Sequence, residues 1–276
     1  MKRIAIVTGA SSGMGREFAL QIPELVEIDE IWLLARRKKK LDELAAVLEA
    51  RRKAGSAEKK APHARAIEID VSGRAGVMRF ATVLECERVL DEKFGGFEIV
   101  MLVNNAGFGT YGTFEETDIQ REMDMIDLNC TALVGICGYA LSYMQYGATI
   151  INTASLAAFL PLGNFAVYAA TKSFVLSFSV ALAAELSGRG ITVCALCPGP
   201  VSTEFAAVAS NGARKNVLHG LSAEKVVRHG LRRALRGKPV AIMAVKWKCK
   251  AFASRFVGRF FGALFTFRHC KRPCRH

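Results

Sequence analysis

The chain has 276 residues, is 51% hydrophobic and carries a formal charge of +13. That length suits one large α/β domain with a buried sheet and falls short of two full domains. No run reaches the roughly 18 uncharged apolar residues of a membrane-spanning helix, since Arg255 and Arg259 interrupt the longest candidate near the C-terminus. The apolar stretch after Met1-Lys2-Arg3 stops at Thr8-Gly9, too soon for a signal peptide.

Short apolar or β-branched runs mark strands at 3–7, 30–34, 64–69, 99–103, 148–152 and 191–196, with a seventh at 239–245. Helical patterns at 15–23, 39–52, 74–94, 117–143 and 166–187 alternate with them. This alternation predicts a doubly wound parallel α/β sheet of about seven strands, a Rossmann fold with helices on both faces and ligands at the C-terminal strand edge. Residues 1–245 form one catalytic domain and 246–276 a basic, aromatic C-terminal extension. The stretch 53–60 is a surface connection, and 198–223 loosens into a long loop of the kind that carries function.

Eight cysteines raise the question of disulfides or metal. Cys194 and Cys197, three apart in a strand, point to opposite faces and are expected as buried thiols. Cys270 and Cys274 lack a second ligand pair, so no metal is expected. This usage fits a reducing, cytoplasmic setting.

Thr8-Gly9-Ala10-Ser11-Ser12-Gly13-Met14-Gly15 joins the first strand to the first helix. Its glycines permit a tight turn and close backbone approach, and the amides of the helix N-terminus attract a pyrophosphate. Gly9, Ser11, Ser12, Gly13, Met14 and Gly15 are the candidate phosphate-loop residues; alone, such a loop can also be an ordinary turn. After the second strand stand Arg36 and Arg37 where a carboxylate would bind the ribose of NAD, and Arg favours the 2′-phosphate of NADP. NADP(H) is the expected cofactor, with Arg36 favoured over Arg37 as nearer the strand end; both can instead simply begin the solvated run with Lys38, Lys39 and Lys40. Asp70, followed by Val71, can accept from an adenine amino group or cap the next helix. Asn104 and Asn105, with Ala106 and Gly107, let a ligand lie against the backbone or form a plain turn.

Ser155 follows the fifth strand, and Tyr168 and Lys172 share one face of the next helix. A phenol with a pKa of about 10 needs a drop of some 2 to 3 units to serve as a base near neutrality, roughly 3 to 4 kcal/mol. A unit charge about 4 Å away contributes on the order of 4 kcal/mol at an effective dielectric of 20, so Lys172 is expected to lower the Tyr168 pKa. Ser155 can donate to a developing alkoxide.

Taken together, Thr8 to Gly15, Asp70, Asn104 to Gly107, Asn129, Ser155, Tyr168, Lys172 and the segment Pro198-Gly199-Pro200-Val201-Ser202-Thr203 resemble the classical short-chain dehydrogenases/reductases over residues 4–203. The resemblance implies a catalytic tetrad of Ser155, Tyr168, Lys172 and Asn129, in which Asn129 holds a water linked to the lysine. It implies that Tyr168 and Lys172 also contact the nicotinamide ribose, that Val201 and Thr203 meet the carboxamide, and that the protein is a homo-oligomer. Phe205, Val208, Val217 and Leu218 point to a small lipophilic carbonyl or alcohol substrate, with a hydroxysteroid-like molecule implied by similar family members.

From Phe205 onward about 17 Lys or Arg face a single acidic residue, Glu224. The tail sets Phe252, Phe256 and Phe260 at four-residue spacing beside Arg255 and Arg259. Such a helix can lie in a membrane interface, or cap the domain's own pocket, or form a subunit contact. A non-catalytic NADP(H)-sensing or nucleic-acid-binding Rossmann protein is the rival class. It uses the basic tail but leaves the Ser-Tyr-Lys spacing without a purpose, and no nucleic acid is expected as partner.

Overall fold

The computed structural model describes residues 1–54, 62–92, 95–214, 220–272 and 274. Seven strands, β1 (Lys2–Thr8), β2 (Glu30–Ala35), β3 (His63–Glu68), β4 (Phe97–Asn104), β5 (Thr149–Thr153), β6 (Thr192–Leu196) and β7 (Val240–Ala241), form one sheet. Its order is β3-β2-β1-β4-β5-β6-β7, and every pairing is parallel. The helices are α1 (Gly13–Leu25), α2 (Lys38–Ala54), α3 (Gly73–Asp91), α4 (Ile119–Ile126), α5 (Ala132–Ala140), α6 (Ala166–Glu185), α7 (Phe205–Ala209), α8 (Ala223–Ala234), α9 (Val245–Ala253) and α10 (Arg259–His269).

Alternate residues of each strand feed two cores. Ile4, Ile6, Trp32, Ile99 and Ile150 pack with Phe80, Leu84, Ile136 and Val175 on one face. Ala5, Val7, Ile31, Met101 and Ile151 pack with Phe18, Ile22, Leu41 and Leu231 on the other. Burial on both faces is why these strands read as unbroken apolar runs. Cys194 belongs to one core and Cys197 to the other, as their spacing predicts.

Two elements depart from expectation. The seventh strand shrinks from seven residues to Val240–Ala241, because Ala244 takes a φ of 69° and turns the chain into α9. The single helix expected over 117–143 is divided into α4, a π-helical turn at Asp127–Thr131, α5 and a 3-10 turn at Leu141–Tyr143. The third helix ends at Asp91, and the expected end at Phe94 lies outside the described residues, as does most of the connection at 53–60. Two helical stretches, Ile119–Tyr143 and Ala166–Glu185, have the length and apolar composition to cross a membrane. α5 contacts β4 and α6 contacts β5 and β6, so in this fold both stretches flank the sheet.

Candidate active site

The strand order reverses between β1 and β4, so their connections diverge and open a crevice at their C-terminal ends. Thr8 ties the two strands there: its hydroxyl accepts from the backbone N–H groups of Asn105 and Ala106, each at 3.0 Å. The resulting cleft has a volume of about 1270 Å³. Drug-sized ligands occupy roughly 300 to 1,000 Å³, so a dinucleotide and a second molecule both have room.

Gly9, Ser11, Ser12, Gly13 and Met14 line one end. Gly9 (φ 67°) and Gly13 (φ 53°) adopt the left-handed backbone that glycine tolerates. A Cβ on Gly15 would stand 2.1 Å from the Gly9 carbonyl oxygen. Gly15 is therefore a packing residue behind the loop, and, contrary to expectation, it does not line the cleft. Ser12 is the N-cap of α1 and makes no side-chain capping bond, leaving the first-turn amides to an anion. These residues fit a dinucleotide phosphate.

Arg37, rather than the favoured Arg36, reaches this loop. It donates to the Ser11 hydroxyl at 3.1 and 3.0 Å, to the Ser12 hydroxyl at 2.7 Å and to Glu204 at 2.8 Å. Arg36 is exposed and stands 3.9 Å from Asp70. Asp70 lines the cleft with Val71, and its carboxylate accepts from the Ser72 N–H at 3.0 Å in the turn entering α3, whose N-cap is Ser72 itself. Arg37 and Lys40 hold the Glu204 carboxyl down at about 2.

Asn104 requires correction. It is buried, and its amide donates to Asn152 Oδ1 at 2.9 Å, away from the cleft, whereas Asn105 lines it. Strand alternation explains the exchange: neighbouring residues face opposite ways as β4 ends.

At the other end stand Ser155, Tyr168 and Lys172, brought together by the β5 terminus and α6. Tyr168 is 7% exposed, and its ring stacks on Phe165 at 4.2 Å with an interplanar angle of 17°. Phe205 closes the side at 5.4 Å. Lys172 Nζ donates to the Thr153 carbonyl at 2.8 Å and lies 5.7 Å from the Tyr168 ring centroid. The expected lowering of the Tyr168 pKa is not what this geometry gives. Burial pushes the phenol well above its ordinary value, with a hydrogen bond to Ser155 pulling the other way, and burial lowers Lys172 to about 8. Desolvation is the largest influence on each group. Near neutrality the pair is a neutral phenol beside a largely protonated ammonium, an arrangement suited to giving a proton.

Asn129 sits in the π-helical turn, buried behind the cleft wall. Its amide donates to the Phe108 carbonyl at 3.0 Å and to Thr171 at 3.1 Å, and its carbonyl accepts from the Phe108 N–H at 3.2 Å. A Cβ on Gly107 would come within 2.7 Å of Asn129 Oδ1 and 3.5 Å of Lys172 Nζ, so that glycine keeps the lysine and asparagine adjacent. Val201 and Thr203 line the cleft beside Gly13, and Phe205 and Val208 line it beyond Tyr168; Val217 and Leu218 lie outside the described residues.

Sequence reasoning missed Tyr111, Phe165, Arg121, Arg214 and Arg272, which also line this end. Arg272 comes from the tail. Thr266 on α10 accepts from the Gly163 N–H at 2.9 Å, Asn164 donates to the Phe267 carbonyl at 3.0 Å, and Arg272 donates to the Gly163 carbonyl at 2.9 Å. The inner face of the tail thus covers the loop leading into α6. Its Phe256 and Phe260 remain 77% and 80% exposed.

The fold and this site define an oxidoreductase. Residues 3–213 match the family model for short chain dehydrogenase, and the chain belongs to that family. It is 32% identical over 220 residues to sulfoacetaldehyde reductase 2 of Chromohalobacter salexigens, covering 77% of this chain and 78% of the relative. A short-chain dehydrogenase from Sphingobium yanoikuyae, solved in complex with NADPH, superposes with a TM-score of 0.74 at 27% identity, covering 93% of this chain and 94% of that one. The bulky-bulky ketone specific alcohol dehydrogenase of Comamonas testosteroni, in its tetragonal crystal form, gives a TM-score of 0.68 at 25% identity, covering 93% of each chain.

Proposed function

We propose that the protein interconverts a lipophilic ketone, of hydroxysteroid or similar bulk, and its secondary alcohol, with NADP(H) as cofactor and Tyr168 as the acid/base. The observation that carries this reading is the buried phenol of Tyr168, kept protonated beside Lys172 and Ser155 at the junction of the two ends of the cleft. When bound, the nicotinamide dinucleotide supplies or accepts the hydride. Tyr168 donates its proton to the carbonyl oxygen as charge develops there, and the Ser155 hydroxyl donates a hydrogen bond to the same oxygen. The Lys172 ammonium, anchored on Thr153, offsets the charge left on the phenolate. Asn129 acts as a positioning residue through Phe108 and Thr171. Arg37 beside Ser11 and Ser12 supports the choice of NADP(H), since a guanidinium there suits a 2′-phosphate. An NADPH-oxidation screen over steroids, acyl ketones and aldehydes tests the reading, run beside NADH and Tyr168→Phe. Turnover that survives Tyr168→Phe unchanged removes Tyr168 from the mechanism.

A peripheral membrane contact through the tail belongs to the same proposal. Phe252, Phe256, Phe260 and Phe261 are exposed next to Lys248, Arg255 and Arg259, and this combination matches an anionic bilayer surface. Flotation with vesicles containing anionic lipid, against neutral vesicles, tests it. Equal failure to bind both eliminates the membrane, and a concentration-dependent dimer lost on Phe260→Ser would assign the face to self-association instead.

A further inference from the structure

The substrate end of the cleft combines an aromatic wall with uncompensated positive charge. Arg272 Cζ stands 4.9 Å from the Phe165 ring centroid, and Phe165 is the ring on which Tyr168 stacks. Arg214 Cζ stands 5.9 Å from the ring of Tyr111, which meets Phe165 edge-on at 4.9 Å. Both guanidinium-bearing residues line the cleft. Their hydrogen bonds go to neutral acceptors: Arg272 to the Gly163 carbonyl at 2.9 Å and Arg214 to the Lys271 carbonyl at 3.4 Å.

Among the described residues neither arginine forms an ion pair with a carboxylate. The acidic side chains that line the cleft are engaged elsewhere. Glu204 pairs with Arg37 and Lys40, Asp70 faces Arg36 and Ser72, and Asp124 accepts from Gln120 at 3.2 Å. A guanidinium cannot shed its proton, so half-buried Arg272 retains its desolvation cost unless an anion meets it, while Arg214 stands exposed beside it and adds its charge. Cation–π contact with Phe165 and the single bond from Nη1 to the Gly163 carbonyl offset part of that cost and leave the other N–H donors of the guanidinium for an acceptor in the cleft.

We infer that the substrate carries an acidic group, a carboxylate or an anion of the same charge, received by Arg272 and Arg214 while Tyr168 meets the carbonyl one aromatic ring away. This inference rests on the proposed oxidoreductase reading and narrows its substrate to amphiphilic keto or hydroxy acids. Arg272 and Arg214 thereby become specificity-determining residues contributed by the segments flanking the cleft mouth.

The test uses the full chain with NADPH and a series of keto acids of increasing chain length, each beside its methyl ester. At the best length the acid should exceed its ester in kcat/KM by about tenfold or more, a margin typical of a charge-assisted fork. Arg272→Met and Arg214→Met should reduce the acid's value by about tenfold each and leave the ester within about twofold, with NADPH affinity unchanged. Calorimetric titration of decanoate against decyl alcohol reads the same site without chemistry, so the arginines are tested even if no carbonyl is turned over. Turnover of acid and ester in a ratio that Arg272→Met does not move overturns the inference and leaves the oxidoreductase reading intact. Absence of turnover with selective decanoate binding does the reverse. Loss of anionic-vesicle binding in Arg272→Met, with acid preference retained, assigns the charge to lipid headgroups and likewise overturns it.

Discussion

Lys172 donates its ammonium to the carbonyl of Thr153 at 2.8 Å, so the positive charge of the site is anchored on the end of a core strand and shielded from solvent. Burial draws its pKa from 10.5 to about 8. The unfolded chain therefore holds more protons than the folded one between those values, and the stability lost to the buried charge is fully lost below about pH 8 and recovered as pH rises toward 10.5. Lys172→Met should raise unfolding stability at pH 7 by about 2 kcal/mol while cutting turnover by at least about 100-fold. Denaturant melts at pH 7 and pH 10.5 check the first effect, and the stabilisation should be markedly smaller at the higher pH.

Carbonyl reduction should decline as pH rises through about 8, because deprotonated Lys172 no longer balances the phenolate that Tyr168 becomes. The kcat/KM profile measured with NADPH should carry this limb. It should be absent from the residual activity of Lys172→Met.

Reversing the charge of Arg37 should exchange cofactor preference. In Arg37→Asp the new carboxylate faces Ser11 and Ser12 and repels a 2′-phosphate, so NADPH should bind at least about tenfold more weakly while NADH changes little. Arg36→Asp, altering an exposed side chain 3.9 Å from Asp70, should have the smaller effect. Fluorescence titration with both nucleotides ranks the two variants, and a larger loss in Arg36→Asp would reverse the assignment.

Gly15→Ala should destabilise the fold and abolish nucleotide binding together, since its Cβ would stand 2.1 Å from the Gly9 carbonyl oxygen and α1 would have to move from β1. A cost of about 1 to 3 kcal/mol is the usual scale for such overpacking. A melt and a nucleotide titration on the same preparation read both.

Gly163→Val should loosen the tail. Its Cβ would lie 2.5 Å from that of Phe267, in the seam where Thr266 and Asn164 hold α10 to the loop before α6. Faster hydrogen exchange in 259–272, with exchange in β1 and β4 unchanged, is the expected outcome.

The sheet was legible because burial on both faces leaves a simple trace: strands such as Ile4 to Val7 are apolar at every position. The Ser155, Tyr168 and Lys172 set was legible because helix geometry converts a spacing of four into one face. Other features depend on distances along the chain that local patterns do not encode. Arg272 reaches a ring more than a hundred residues earlier through α10, and nothing in its neighbours signals that contact. The π-helical turn at Asn129 inserts no glycine or proline into the apolar pattern, so it reads as continuous helix. Arg36 and Arg37 differ only in which side of the chain they leave, a matter of turn geometry beyond β2.

The buried amide of Asn104 donates to Asn152, whose own amide donates to Ser179 on α6 at 2.9 Å. This polar thread joins two central strands to the helix bearing Tyr168 and acts as a vernier. If α6 slid along its axis by one turn, Asn152 would lose Ser179 inside the core, where an unpaired amide costs about 1 to 3 kcal/mol. The depth at which the Tyr168 phenol sits in the cleft is thus set from below, by groups outside the cleft lining, so residues at the cleft mouth can change without moving it.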